Sequence, residues 1–80
     1  MGYVSIDNRP ETETQGWSFT DKDGDMFVMN TEELRTRGWL LIGGETDVLD
    51  GRGQIIYPED LENLKILIEK AQEYLKERTR

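Results

Sequence analysis

Apolar positions along the 80-residue chain come in short alternating runs as far as residue 57 and then settle into one long helical register. Tyr3-Val4-Ser5-Ile6 alternates briefly and predicts an edge strand. Trp17-Ser18-Phe19-Thr20 sets large apolar side chains two apart, as a half-buried strand does. Asp21-Lys22-Asp23-Gly24-Asp25 has turn chemistry, and Met26-Phe27-Val28-Met29 returns as a second strand. Residues 8–16 offer nothing to anchor in a core and are expected to form a mobile loop.

Asn30 then stands where a helix cap belongs. Its side chain is placed to accept from the Glu33 amide, with Glu33 reaching back as in a capping box. The helix is brief, because Gly38 follows Arg35-Thr36-Arg37 as a left-handed stop. Trp39-Leu40-Leu41-Ile42 is a continuous apolar run closed by Gly43-Gly44, the pattern of a strand covered on both faces. Val48-Leu49 and Gln54-Ile55-Ile56-Tyr57 flank Asp50-Gly51-Arg52-Gly53 and predict a hairpin.

The last element, 58–78, is the clearest. Pro58 presets the first turn, Glu59 and Asp60 complement its positive end, and Lys76 and Arg78 sit near the negative end. Leu61, Leu64, Leu67, Ile68, Ala71, Tyr74 and Leu75 share one face at the 3.6-residue period. Ile66 lies about 150° from the centre of that stripe, among Glu62, Glu69, Lys70 and Glu73. That isolation makes it a candidate contact residue, covered by a second copy or by a partner.

These elements predict a single α+β domain over residues 1–80. A small twisted antiparallel sheet of four or five short strands carries a short connecting helix, and the long C-terminal helix packs on one face. The expected core comprises Trp17, Phe19, Leu34, Trp39, Leu41, Ile55, Leu61, Leu64, Leu67, Ile68, Ala71 and Leu75.

Composition narrows the chemistry. Cysteine is absent, which excludes disulfide scaffolds, zinc ribbons and thiol nucleophiles. Histidine is absent too, removing the usual general base and most transition-metal sites. A single small core has little material for the walls of a catalytic cleft, so no enzymatic activity and no cofactor are expected. The net charge is −7, and it is uneven. Residues 1–62 hold 14 acids and 5 bases, whereas residues 63–80 hold 3 acids and 5 bases. Such a surface repels phosphate backbones and suits a basic protein partner. No apolar run reaches the length of a membrane span, and a cytoplasmic location is expected.

Two motifs resemble known families. The twelve residues from Asp21 to Glu32 resemble the calcium loop of EF-hand proteins, with Asp21, Asp23 and Asp25 at alternate positions and Glu32 last. Calcium takes six to eight hard oxygen ligands, and the resemblance implies that these four carboxylates supply them. Met26 occupies the place of the turn glycine, however, and the preceding strand pattern supplies no entering helix. The favoured reading is therefore a hairpin with an acidic turn and no metal, with the calcium module as the alternative. Tyr57-Pro58-Glu59-Asp60-Leu61 resembles the wing-to-helix junction of MerR-type regulators. No helix-turn-helix precedes it, and the charge has the wrong sign for DNA.

What remains is the surface. Glu45, Asp47, Asp50, Glu59, Asp60 and Glu62, with Ile66, form the candidate partner-binding set. The composition is similar to that of small phage or mobile-element inhibitors that mimic DNA charge and occupy a basic, nucleic-acid-binding surface of a host protein. The expectation is a non-catalytic protein-binding module, with a homodimer as one form its Ile66 face would allow.

Overall fold

The structure is a computed structural model and describes residues 2–9 and 14–78. The acidic turn predicted at 21–25 forms and sets the register of the central hairpin. Asp21 Oδ1 accepts from the backbone amides of Asp23 (2.9 Å) and Asp25 (3.0 Å), an Asx turn that reverses the chain. The strands it joins are β2 (Gly16–Thr20) and β3 (Met26–Asn30), paired antiparallel with Phe19 opposite Phe27. Around them a five-stranded sheet runs in chain order, with β1 (Tyr3–Ser5) at one edge, then β2, β3, β4 (Leu40–Gly44) and β5 (Gln54–Ile56). The architecture is the expected α+β, with short helices and a long C-terminal helix.

The sheet is mixed rather than wholly antiparallel, because β1 runs parallel to β2, Tyr3 opposite Gly16 and Ser5 opposite Ser18. Parallel strands cannot be joined by a tight hairpin, and ten residues separate β1 from β2. Ile6 donates to the Ser18 carbonyl at one end and Gln15 to the Gly2 carbonyl at the other. Residues 10–13 of the loop expected at 8–16 lie outside the described residues. Gly16 begins β2 with φ 151°, and a Cβ there would fall on the Met29 carbonyl oxygen of the paired strand. Only glycine allows this approach.

The first helix, α1 (Leu34–Arg37), ends at Gly38 in the left-handed conformation as expected. Its start differs. Asn30 caps nothing there: its Oδ1 accepts from the Glu32 amide (2.8 Å) and its Nδ2 donates to the Tyr3 hydroxyl (2.9 Å). The N-cap position falls to Glu33, whose carboxylate accepts from Trp39 Nε1 at 2.9 Å instead of reaching back to the chain start. Tyr3 on the edge strand competes for Asn30, and Trp39 competes for Glu33.

Val48 and Leu49, expected as a strand, belong to a second short helix, α2 (Glu45–Leu49). Gly43 and Gly53 explain why. Both lie against Val48 Cγ2, and a Cβ on Gly53 would stand 2.9 Å from it. The glycines leave a recess in the sheet, and a helical turn delivers the Val48 side chain into it. Asp50-Gly51-Arg52-Gly53 is thus the stop of α2, with Gly51 at φ 73° and Arg52 N–H donating to the Asp47 carbonyl.

Strand register sorts the side chains onto two faces. One carries Tyr3, Met26, Val28 and Leu41, with Trp39 in the same alternation, and Val48 of α2 covers it. Val28, Leu41 and Val48 form the buried centre. The other face carries Val4, Trp17, Phe19, Phe27, Met29, Leu40, Ile42 and Ile56. It is almost wholly apolar, yet Leu40 is its only buried member.

The C-terminal helix does not supply the missing layer. After a 3₁₀ turn at Pro58–Asp60, α3 (Leu61–Arg78) runs on with no buried residue, and its main contact is that turn. The radius of gyration is 14.2 Å, against about 12 Å for a compact chain of this length. The expected core is therefore corrected. Leu41 alone of that set is buried, Trp17, Trp39 and Leu64 are half-buried, and Phe19, Leu34, Ile55, Leu61, Leu67, Ile68, Ala71 and Leu75 are exposed. The apolar period of α3 was legible, but its stripe stands largely exposed.

Candidate functional site

The β2–β3 turn and α2 meet at one end of the sheet, because Phe27 pairs with Gly44 and the chain turns into α2 immediately afterwards. Between them opens a cleft of about 430 Å³, lined by Gly24, Asp25, Met26, Gly44, Glu45, Thr46 and Asp47. Two acidic groups far apart in sequence are thereby joined, Asp25 from the turn and Glu45 with Asp47 from α2. Asp21 and Asp23 lie on the same turn.

These carboxylates differ in employment. Asp21 is committed to holding the turn. The side chains of Asp23, Asp25, Glu45 and Asp47 form no hydrogen bond or ion pair among the described residues. Glu45 and Asp47 also complement the positive end of α2, which accounts for their presence locally without neutralising their charge. Asp50, by contrast, is paired with Arg52 at 2.8 Å.

The sheet splits the remaining candidates from this group. β4 runs toward α2 while β5 runs away from it, and Ile56 lies opposite Leu40 at the far end. Glu59 and Asp60 in the 3₁₀ turn and Glu62 in the first turn of α3 therefore stand at the other end of the sheet. The predicted set is two separate acidic ends rather than one patch. Sequence reading missed the pairing of Asp25 with α2, since no local signal announces a contact across β3 and β4.

The calcium alternative requires Glu32 to close on the three aspartates. The strand β3 carries it away from them, roughly 17 Å of extended chain lying between Asp25 and Glu32. Glu32 instead accepts from Gln15 Nε2 at 3.4 Å. Among the described residues no three metal-ligating side chains are grouped closely enough to hold an ion.

Ile66 is 45% exposed, but Leu67 is 67% and Ile68 53% exposed. The contrast that singled out Ile66 is gone, because the stripe meant to be its buried opposite is also open. Among the described residues no helix is long and apolar enough to cross a membrane. No protein-family model, no curated protein and no solved structure matches this chain.

Proposed function

We propose that the chain is a non-catalytic protein-binding module whose acidic cleft, formed by Asp25, Glu45 and Asp47, receives a basic surface of a protein partner in the cytoplasm. The observation that carries this reading is the convergence of carboxylates from two elements, with no basic side chain paired to them among the described residues. Unneutralised charges gathered at one end raise the local potential and steer a cationic partner into place. An inhibitor of phage or mobile-element type, occupying a nucleic-acid-binding surface of a host protein, is the specific form of module this chemistry suits.

The test is retention of a partner from a lysate of the source cells on the immobilised chain, eluted by rising salt. Exposed charge pairs are screened over about 8 Å at physiological ionic strength, so the complex should weaken steeply with salt. Asp25→Asn, Glu45→Gln and Asp47→Asn together should abolish retention, slowing association more than they speed dissociation. Neutralising Glu59, Asp60 and Glu62 at the opposite end should leave it intact. A partner held equally by the cleft variant, or indifferent to salt, overturns the proposal.

A further inference from the structure

Asp-Gly occurs twice in the chain, at Asp23-Gly24 in the β2–β3 turn and at Asp50-Gly51 in the stop of α2. The dipeptide carries its own covalent chemistry. Glycine has no side chain to shield its nitrogen, and its backbone turns freely enough to meet the aspartyl carboxyl carbon. In an opened turn that nitrogen bonds to Cγ of the protonated carboxyl and loses its proton, and the carboxyl hydroxyl leaves with that proton as water. Water then adds to the cyclic imide. Opening at the side-chain carbonyl restores aspartate, whereas opening at the main-chain carbonyl leaves the chain running through Cγ as isoaspartate. One water leaves and one returns, so solvent is the only reagent needed.

The two sites differ in what must open first. Residues 21–25 are all exposed, and the Asp23 carboxylate has no hydrogen bond or ion pair among the described residues. The Gly24 amide donates to the Asp21 carbonyl at 3.1 Å, an exposed turn bond that opens with the tip alone. At Asp50, ψ is 3°, which eclipses the Gly51 nitrogen with that of Asp50 and turns it away from the side chain. Amide donations from Asp50 to Thr46, Gly51 to Val48 and Arg52 to Asp47 hold that geometry, and the carboxylate is paired with Arg52. Releasing it disturbs the helical turn that seats the buried Val48.

We propose that Asp23-Gly24, and not Asp50-Gly51, is a site of spontaneous isoaspartate formation in the folded protein, and that conversion there unmakes the β2–β3 turn. The new link adds one carbon to the main chain between Asp23 and Gly24. Three hydrogen bonds span that link. The Asp21 amide donates to the Asp25 carbonyl at 2.8 Å, the Asp25 amide to Asp21 Oδ1 at 3.0 Å, and the Gly24 amide to the Asp21 carbonyl. A turn closed this tightly has no room for another main-chain atom, so the three bonds cannot all form again. Mass and net charge stay the same. What moves is Asp25, which the turn holds at the cleft. Isoaspartate thus ages the cleft from its own backbone, whatever partner the cleft receives.

The full chain is aged in neutral buffer and cleaved after lysine and arginine, and the peptides are probed with an isoaspartyl methyltransferase and labelled S-adenosylmethionine. The two sites fall in separate peptides, one ending at Arg35 and the other at Arg52. Label in the Arg35 peptide should grow with time and exceed that in the Arg52 peptide about tenfold, the ratio of local opening at the two sites. Chain aged in concentrated urea should label both peptides alike, because the difference belongs to the fold. Asp23→Glu should lose the label in the Arg35 peptide, since the longer side chain closes its ring far more slowly. Once purified, the isoaspartyl chain should show moved amide signals over residues 21–26, with those of Val28, Leu41 and Val48 in place. No label in the folded chain over a time that converts the unfolded one overturns the proposal. So does label in the Arg52 peptide equal to or above that in the Arg35 peptide, or an isoaspartyl chain whose 21–26 amides keep their native positions.

Discussion

The covered face of the sheet and the C-terminal helix are built from similar apolar residues and end in opposite states. On the covered face Val28 is fully buried and Leu41 and Val48 nearly so, although β3 and β4 are five residues each and α2 is no longer. In α3, the longest element, nothing is buried. The difference lies in how each apolar side chain is given a place. Val48 has a recess prepared by Gly43 and Gly53, and Leu41 has neighbours fixed by strand pairing. The α3 stripe has periodicity, but none of its side chains is buried among the described residues. Amphipathic pattern states that a surface wants cover; it does not state what the cover is.

The largest effect should come from the residue that lets the sheet close. Gly16→Ala puts a Cβ onto the Met29 carbonyl oxygen, and neither backbone can yield without breaking the β2–β3 ladder. The expected loss is on the order of 4 kcal/mol, most of the stability of so small a domain. Chemical denaturation with circular dichroism would measure it. A loss under about 1 kcal/mol would show that β2 and β3 stand further apart than this, and the whole covered face would need repositioning.

That glycine also marks the limit of what could be read in advance. The strands, the left-handed stop at Gly38 and the bounds of the C-terminal helix follow from local chemistry, and all were legible. Gly16 looked like the end of a loop because its obligation is to Met29, thirteen positions away. The same holds for Val48, read as strand because its recess is made by Gly43 in β4 and by Gly53 just before β5, and for Asn30 and Glu33, whose side chains are claimed by Tyr3 and Trp39. The acidic turn was visible as chemistry, while its meeting with α2 depends on register across the sheet. Long-range competition decided each case.

The comparison itself can be tested with one kind of change made in both regions. Leu41→Ala removes a buried side chain from between Val28 and Val48 and should cost about 3 kcal/mol. Leu67→Ala removes a similar side chain from α3, where it is 67% exposed. In dilute solution, with the chain monomeric, it should stay within about 0.5 kcal/mol of the unaltered protein. Equal costs under those conditions would mean that the helix is packed against its own sheet.

The smallest effect is expected where the covered face meets solvent. Arg52 and Asp50 form an ion pair of 2.8 Å in the stop of α2, but their side chains are 71% and 51% exposed. Such a pair gains little Coulomb energy and gives up side-chain freedom, so Arg52→Ala should cost no more than about 0.5 kcal/mol. The backbone hydrogen bond from Arg52 to the Asp47 carbonyl survives the change and continues to hold the stop. Urea midpoints at low and high salt would separate the contributions, since only the ion pair is screened. A salt-independent loss above about 1 kcal/mol would place the Arg52 stem, rather than its charge, in the packing of Val48, and would move the boundary of the core outward to include the turn.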